Sequence, residues 1–82
     1  MILTTKPTIV YTALKDETIT LNFWNLRKIE STYTLNGEDV TLADCGGKIK
    51  DAHHVREIEL KASETIEINS KEENSIEVEI CN

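Results

Sequence analysis

Residues 17–24 read Glu-Thr-Ile-Thr-Leu-Asn-Phe-Trp, and the period of this stretch decides the fold class. Ile19, Leu21 and Phe23 fall on one side of an extended chain, and Thr18, Thr20, Asn22 and Trp24 on the other. A period of two marks a half-buried strand, because successive side chains leave a pleated backbone on opposite faces. Threonine suits the wet side, where its branched Cβ fits the pleated surface.

The same pattern recurs on both sides. Toward the N-terminus, residues 8–14 follow Pro7, are rich in β-branched types and predict a strand that ends in a turn at Lys15-Asp16. Toward the C-terminus, residues 25–33 carry two readings. Leu26, Ile29 and Tyr33 fit helical spacing, whereas Thr32, Tyr33 and Thr34 favour a strand, so the later half is read as strand. Asn36-Gly37 follows, and both residues tolerate the positive φ of a type I′ hairpin turn. Val40 and Leu42 then alternate down a returning strand.

The pattern breaks over residues 44–54, where Cys45-Gly46-Gly47 suits a turn and residues 51–55 fit a turn of helix. Alternation resumes at Arg56. Ile58 and Leu60, then Ile66 and Ile68, then Ile76, Val78 and Ile80 point inward. Glu57, Glu59 and Lys61, then Thr65, Glu67 and Asn69, then Glu77, Glu79 and Cys81 point outward. The expectation is a mainly β protein: a single small antiparallel sandwich or partly open barrel of six to seven short strands. It has at most one short helix, and residues 1–82 form one domain. An immunoglobulin-type Cys…Trp…Cys core is excluded, since Trp24 precedes both cysteines and Cys81 has outward parity.

Eighty-two residues with 5% aromatic content must build the core from Ile, Leu and Val, and a chain this short leaves a thin stability margin. The 39% of hydrophobic residues still places it among globular rather than disordered chains. Charge is unevenly placed. Residues 1–55 hold seven acidic and six basic side chains, whereas residues 56–82 hold eight glutamates against Arg56, Lys61 and Lys71. Such a balance disfavours direct nucleic-acid binding, which needs clustered Lys and Arg. It suits a protein partner with a basic surface, or solubility alone.

The opening residues are too short and polar an apolar run for a signal peptide or spanning helix, and no later run is long enough. No membrane association is expected. The default compartment is the cytoplasm, that of a host cell if the chain is viral. In such a reducing setting Cys45 and Cys81 are expected as two free thiols.

The candidate binding residues are Glu57, Glu59, Glu67, Glu77 and Glu79, together with Trp24. If the three C-terminal strands are neighbours in one sheet, the outward glutamates form an acidic plate, with carboxylates about 5–8 Å apart across strands. The competing reading is a solvated face that keeps sheet edges from pairing with other chains. Trp24 turns outward by strict alternation, as a binding anchor or as a cap on the core rim, with Asn25 and Arg27 as a polar border. No residue is expected to be catalytic. The serines lie in no recognisable elbow, and Cys45 with His53 or His54 is the only nucleophile–base pair worth naming. No cofactor or metal is expected either. Asp44, Cys45, Asp51, His53 and His54 crowd one loop, but adjacent histidines in extended chain point to opposite sides and cannot share an ion. Gly46-Gly47-Lys48 lacks the remaining glycine and the Ser or Thr of a phosphate loop.

The first reading is therefore a small acidic protein-binding domain, not an enzyme, that occupies a basic, nucleic-acid-binding surface of a host enzyme. In size and charge alone, without a shared motif, the chain is similar to the inhibitors that viruses and mobile elements make against host nucleic-acid enzymes, anti-CRISPR proteins among them. The alternatives are a structural or self-assembling β-domain, such as a virion or assembly subunit acting as a homo-oligomer, and a thiol- or metal-dependent switch through Cys45, Cys81 and a histidine.

Overall fold

The structure, a computed structural model, describes residues 1–45 and 53–81. Seven strands follow one another: β1 (Thr8–Thr12), β2 (Glu17–Asn25), β3 (Ser31–Leu35), β4 (Glu38–Leu42), β5 (His53–Leu60), β6 (Thr65–Ser70) and β7 (Ile76–Cys81). They form two sheets, ordered β1-β6-β3-β4 and β5-β2-β7, in which every pairing is antiparallel. The sheets pack face to face without closing, so of the two expected architectures the sandwich holds and the barrel does not. Among the described residues there is no helix, and therefore none long and apolar enough to cross a membrane.

The stretch at residues 17–24 lies at the centre. β2 has neighbours on both edges, and its inward Ile19, Leu21 and Phe23 are fully buried. Tyr33 and Leu35 from β3, Ile66 and Ile68 from β6, and Ile76 and Val78 from β7 join the same core, with Leu3, Ala13, Leu42 and Leu60. The rings of Phe23 and Tyr33 stack across the two sheets, 4.1 Å between centroids and 9° from parallel. Each such burial stabilises the fold by about 1.5–3 kcal/mol before ordering costs are counted.

The Asn36-Gly37 hairpin forms as expected. Both residues have positive φ, 47° and 85°, and Leu35 stands opposite Glu38. Asn36 also ties the hairpin to β6: its Oδ1 accepts from the Glu67 N–H and its Nδ2 donates to the Thr65 carbonyl. This is the one connection that stays within a sheet; every other link between described strands crosses to the opposite one.

Two expectations change, and the segment with two readings at residues 25–33 takes strand in its later half, as expected. The strand expected to resume at Arg56 begins at His53, so residues 53–55 are extended rather than a turn of helix; they pair with Asn22, Phe23 and Trp24 across β2. Residues 26–30 form an irregular bend rather than a helix. There the buried Asn25 takes over the backbone: its Oδ1 accepts from the Arg27 N–H, while its Nδ2 donates to the carbonyls of Ile29 and Ala43. Such side-chain bonds offer the chain an alternative to the helical ladder. The first strand stops at Thr12, leaving Leu14 exposed. Gly46-Gly47-Lys48 and Asp51 lie outside the described residues.

The N-terminal residues run along β7. The Met1 amine donates to the Val78 carbonyl, Val78 N–H to the Met1 carbonyl, and Leu3 N–H to the Ile76 carbonyl. One edge of the three-stranded sheet is therefore covered at that end. Along the other, β5, no described strand pairs.

Candidate protein-binding face

Strand pairing fixes which outward side chains stand side by side on the three-stranded sheet. Across β5, β2 and β7 the rows run His53–Trp24–Glu77, then Val55–Asn22–Glu79, then Glu57–Thr20–Cys81, with Glu59 beside Thr18 at the end. Trp24 and four of the five proposed glutamates, Glu57, Glu59, Glu77 and Glu79, thus share one face. No Lys or Arg stands among its outward residues.

Glu67 does not belong to this face. It lies on β6 in the other sheet, opposite Ile9 of β1. The C-terminal strands are not neighbours, because each link between them crosses the sandwich and β2 takes the place between β5 and β7. The expected continuous plate of carboxylates is replaced by two acidic flanks, Glu57 with Glu59 and Glu77 with Glu79, about 10 Å apart across the β2 column. Like charges directly opposite destabilise a sheet, and interposing Thr20, Asn22 and Trp24 relieves that repulsion.

Trp24 is half-buried. Its indole lies 4.9 Å from the imidazole of exposed His53, with the rings 9° from parallel. His53 Nε2 is 3.0 Å from Asn22 Oδ1; the amide oxygen only accepts, so Nε2 carries the donated proton. The chain of contacts continues as Asn22 Nδ2 donates to Cys81 Sγ at 3.5 Å and the Cys81 thiol donates to Glu79 Oε1 at 3.3 Å. Asn25 and Arg27 do not border the patch. Asn25 is buried, and Arg27 is held by the Ser31 hydroxyl, the Glu30 carbonyl and Glu72.

The cysteines and histidines do not converge. Cys45 and Cys81 are free thiols. Cys45 is buried, with its N–H donating to the Arg27 carbonyl, whereas Cys81 lies on the outer face. The hydrogen bond to Glu79, with burial and the carboxylate charge behind it, pushes the Cys81 thiol above its ordinary pKa, which disfavours the reactive thiolate. His53 and His54 point to opposite sides of β5, as alternation requires; His54 turns inward, 6.3 Å from the Phe23 ring. Among the described residues no three His, Cys, Asp or Glu side chains are placed to hold a metal ion.

Two open clefts flank β5 and meet at Glu59. One, about 320 Å³, lies between the β3–β4 hairpin and β5 and carries Glu38, Arg56 and Glu57. The other, about 510 Å³, lies at the end of the sandwich and carries Asp16, Glu17, Lys61 and Glu64. Sequence reasoning did not find these clefts, because they depend on which strands face each other across the sandwich. It also missed His53 as the partner of Trp24, although the outward parity of Glu57 and Val55 extends back to it.

No family model matches the chain, and neither a curated protein nor a solved structure matches it.

Proposed function

We propose that the chain is a protein-binding domain whose partner presents a basic surface, and that it acts by occupying that surface. The observation that carries this reading is the gathering of Trp24, stacked on His53, with Glu57, Glu59, Glu77 and Glu79 on a face whose described outward strand residues include no Lys or Arg. The acidic flanks steer a Lys- and Arg-rich partner toward the face, and Trp24 supplies the apolar contact at its end. The partner surface that fits best is a nucleic-acid-binding cleft, whose cations are already spaced for a row of negative charges. The domain would then work as an inhibitor that excludes the nucleic acid.

The test is capture of partners from lysate on the immobilised protein, eluted with a salt gradient. A nucleic-acid-binding protein released at moderate salt is expected, because exposed charge pairs are screened. Replacing Glu57, Glu59, Glu77 and Glu79 together by Gln should abolish capture, while Glu67→Gln, on the opposite sheet, should leave it unchanged. Capture undiminished in the folded fourfold variant would overturn the reading.

A further inference from the structure

Among the described residues no strand pairs with the outer edge of β5, and the chemistry of that edge selects what can pair with it. Just beyond the end of β2, the Leu26 N–H donates to the Ser75 carbonyl, so Leu26 and Ser75 continue the Asn25↔Ile76 register as a hydrogen-bonded pair. Antiparallel ladders alternate, so even-numbered residues of β2 bond toward β7 and odd-numbered ones toward β5. The exchange of Met1 and Val78 on the far side of β7 obeys the same parity. Ile19, Leu21 and Phe23 therefore bond Ile58, Arg56 and His54, their register partners. Val55, Glu57 and Glu59 are left with N–H and C=O directed away from the sheet.

We propose that this edge accepts an extended segment of a partner protein carrying Lys or Arg at alternate positions, which joins the β5-β2-β7 sheet beyond β5. The proposal rests on the basic-partner reading above and assigns its mode of attachment. In an added strand, residues hydrogen-bonded opposite Glu57 and Glu59 point to the same outer face, with Cα atoms about 5.5 Å away. Basic side chains there pair with the two carboxylates, and opposite-charge cross-strand pairs stabilise a ladder. The clefts on either side extend the same preference. Arg56 and Lys61 are already countered by Glu38 and Asp16, which leaves Glu57 and Glu59 to receive longer cations, together with Glu17 and Glu64. The Oε1 atoms of Glu17 and Glu64 accept from the Tyr11 hydroxyl and the Lys61 N–H, but among the described residues they face no cation in an ion pair.

A second copy of this chain fits less well. Backbone parity allows two antiparallel self-pairings that overlap β5 over most of its length; one sets Arg56 against Arg56 and the other Glu57 against Glu57. Both place like charges directly opposite, the arrangement by which natural edges resist self-association. The remaining edges are weaker templates: β1 has a register shift between Ile9 and Tyr11, and β4 is five residues long. β5 keeps register with β2 across eight consecutive pairs.

The experiment uses the full isotope-labelled chain, titrated with a synthetic ten-residue peptide of alternating Lys and Thr. A second titration uses the same peptide N-methylated at each Lys amide. The first should shift the amide resonances of Val55, Glu57 and Glu59 and slow their hydrogen exchange. N-methylation should weaken binding about tenfold or more, since it deletes the ladder bonds and keeps the charge. In the chain itself, Val55→Pro removes one outward N–H without touching a carboxylate and should weaken the unmethylated peptide similarly. If both peptides bind equally and shift Trp24, Glu77 and Glu79 without protecting the β5 amides, the edge proposal fails and the acidic face stands. If neither peptide shifts any resonance, both fail. The N-methylated peptide keeps the test decisive should Val55→Pro not fold.

Discussion

Trp24 and His53 stack across the β2–β5 pair with their rings 9° from parallel, on a face that the core does not need. Stability and partner binding should therefore separate at Trp24. Trp24→Ala is expected to lower unfolding free energy by about 0.5–1.5 kcal/mol, the size of an aromatic pair. It should reduce capture of the proposed basic partner by tenfold or more if Trp24 is the anchor. Urea denaturation with His53→Ala and the double variant isolates the stacking energy; capture by the single variant measures the anchor. A large stability loss with unchanged capture would make Trp24 a rim residue of the core.

Asn25 is a polar residue at a core position. It is fully buried, and its amide satisfies the Arg27 N–H and the carbonyls of Ile29 and Ala43. Asn25→Ala strands one donor and two acceptors, which is expected to cost about 3 kcal/mol, since each unsatisfied buried group costs roughly 1–3 kcal/mol. Asn25→Leu should be no better, because filling the space does not satisfy the backbone. Thermal denaturation of both variants checks this. Near-native stability in either would mean that water reaches the bend at residues 26–30.

These residues show what the sequence disclosed. The parity of residues 17–24 exposed the strand, its inward face and the outward Trp24, because one period governs them all. The Asn36-Gly37 turn was equally legible, since its backbone requirement is local. The neighbours of each strand were not. Glu67 has the same outward parity as Glu57 and Glu77, and nothing in its surroundings along the chain reveals that residues 61–64 carry β6 to the other sheet. The apparent helical spacing of Leu26 and Ile29 misleads for a related reason: the competing bonds come from Asn25 and reach Ala43 on a distant segment.

His54 supplies a pH dependence. Turned inward on β5, it has its pKa lowered by burial first, then by the charges of Arg56 and His53. The unfolded chain thus binds the proton more readily than the folded one. The stability linked to neutral His54 is fully present above the unfolded value, near 6.5, and is lost as pH falls through the lower folded value. Urea midpoints should fall between pH 7 and pH 5, above the range where most carboxylates titrate. In His54→Gln the slope should flatten. An unchanged slope would place the titrating group elsewhere.

Tyr33 tests the closing of the core beneath the β5 edge. Its ring is fully buried and stacked on Phe23, and among the described residues its hydroxyl, like the buried Nη1 of Arg56, has no partner in hydrogen-bonding geometry. Burial raises its pKa, with the neighbouring Arg56 guanidinium opposing the shift. An unpaired buried hydroxyl costs about 1–3 kcal/mol on the scale of protein mutations. Tyr33→Phe deletes that atom and keeps the stack, so its urea midpoint should equal or exceed that of the parent, by up to about 1 kcal/mol. Tyr33→Leu, which also loses the stack, should be destabilised by about 1–3 kcal/mol. The comparison separates the ring from its oxygen. If Tyr33→Phe is instead destabilised by more than about 1 kcal/mol, the hydroxyl oxygen is accepting a hydrogen bond from the Arg56 guanidinium in solution. The wall of the cleft beside β5 would then be a pinned Arg56 rather than one free to shift when a strand is added.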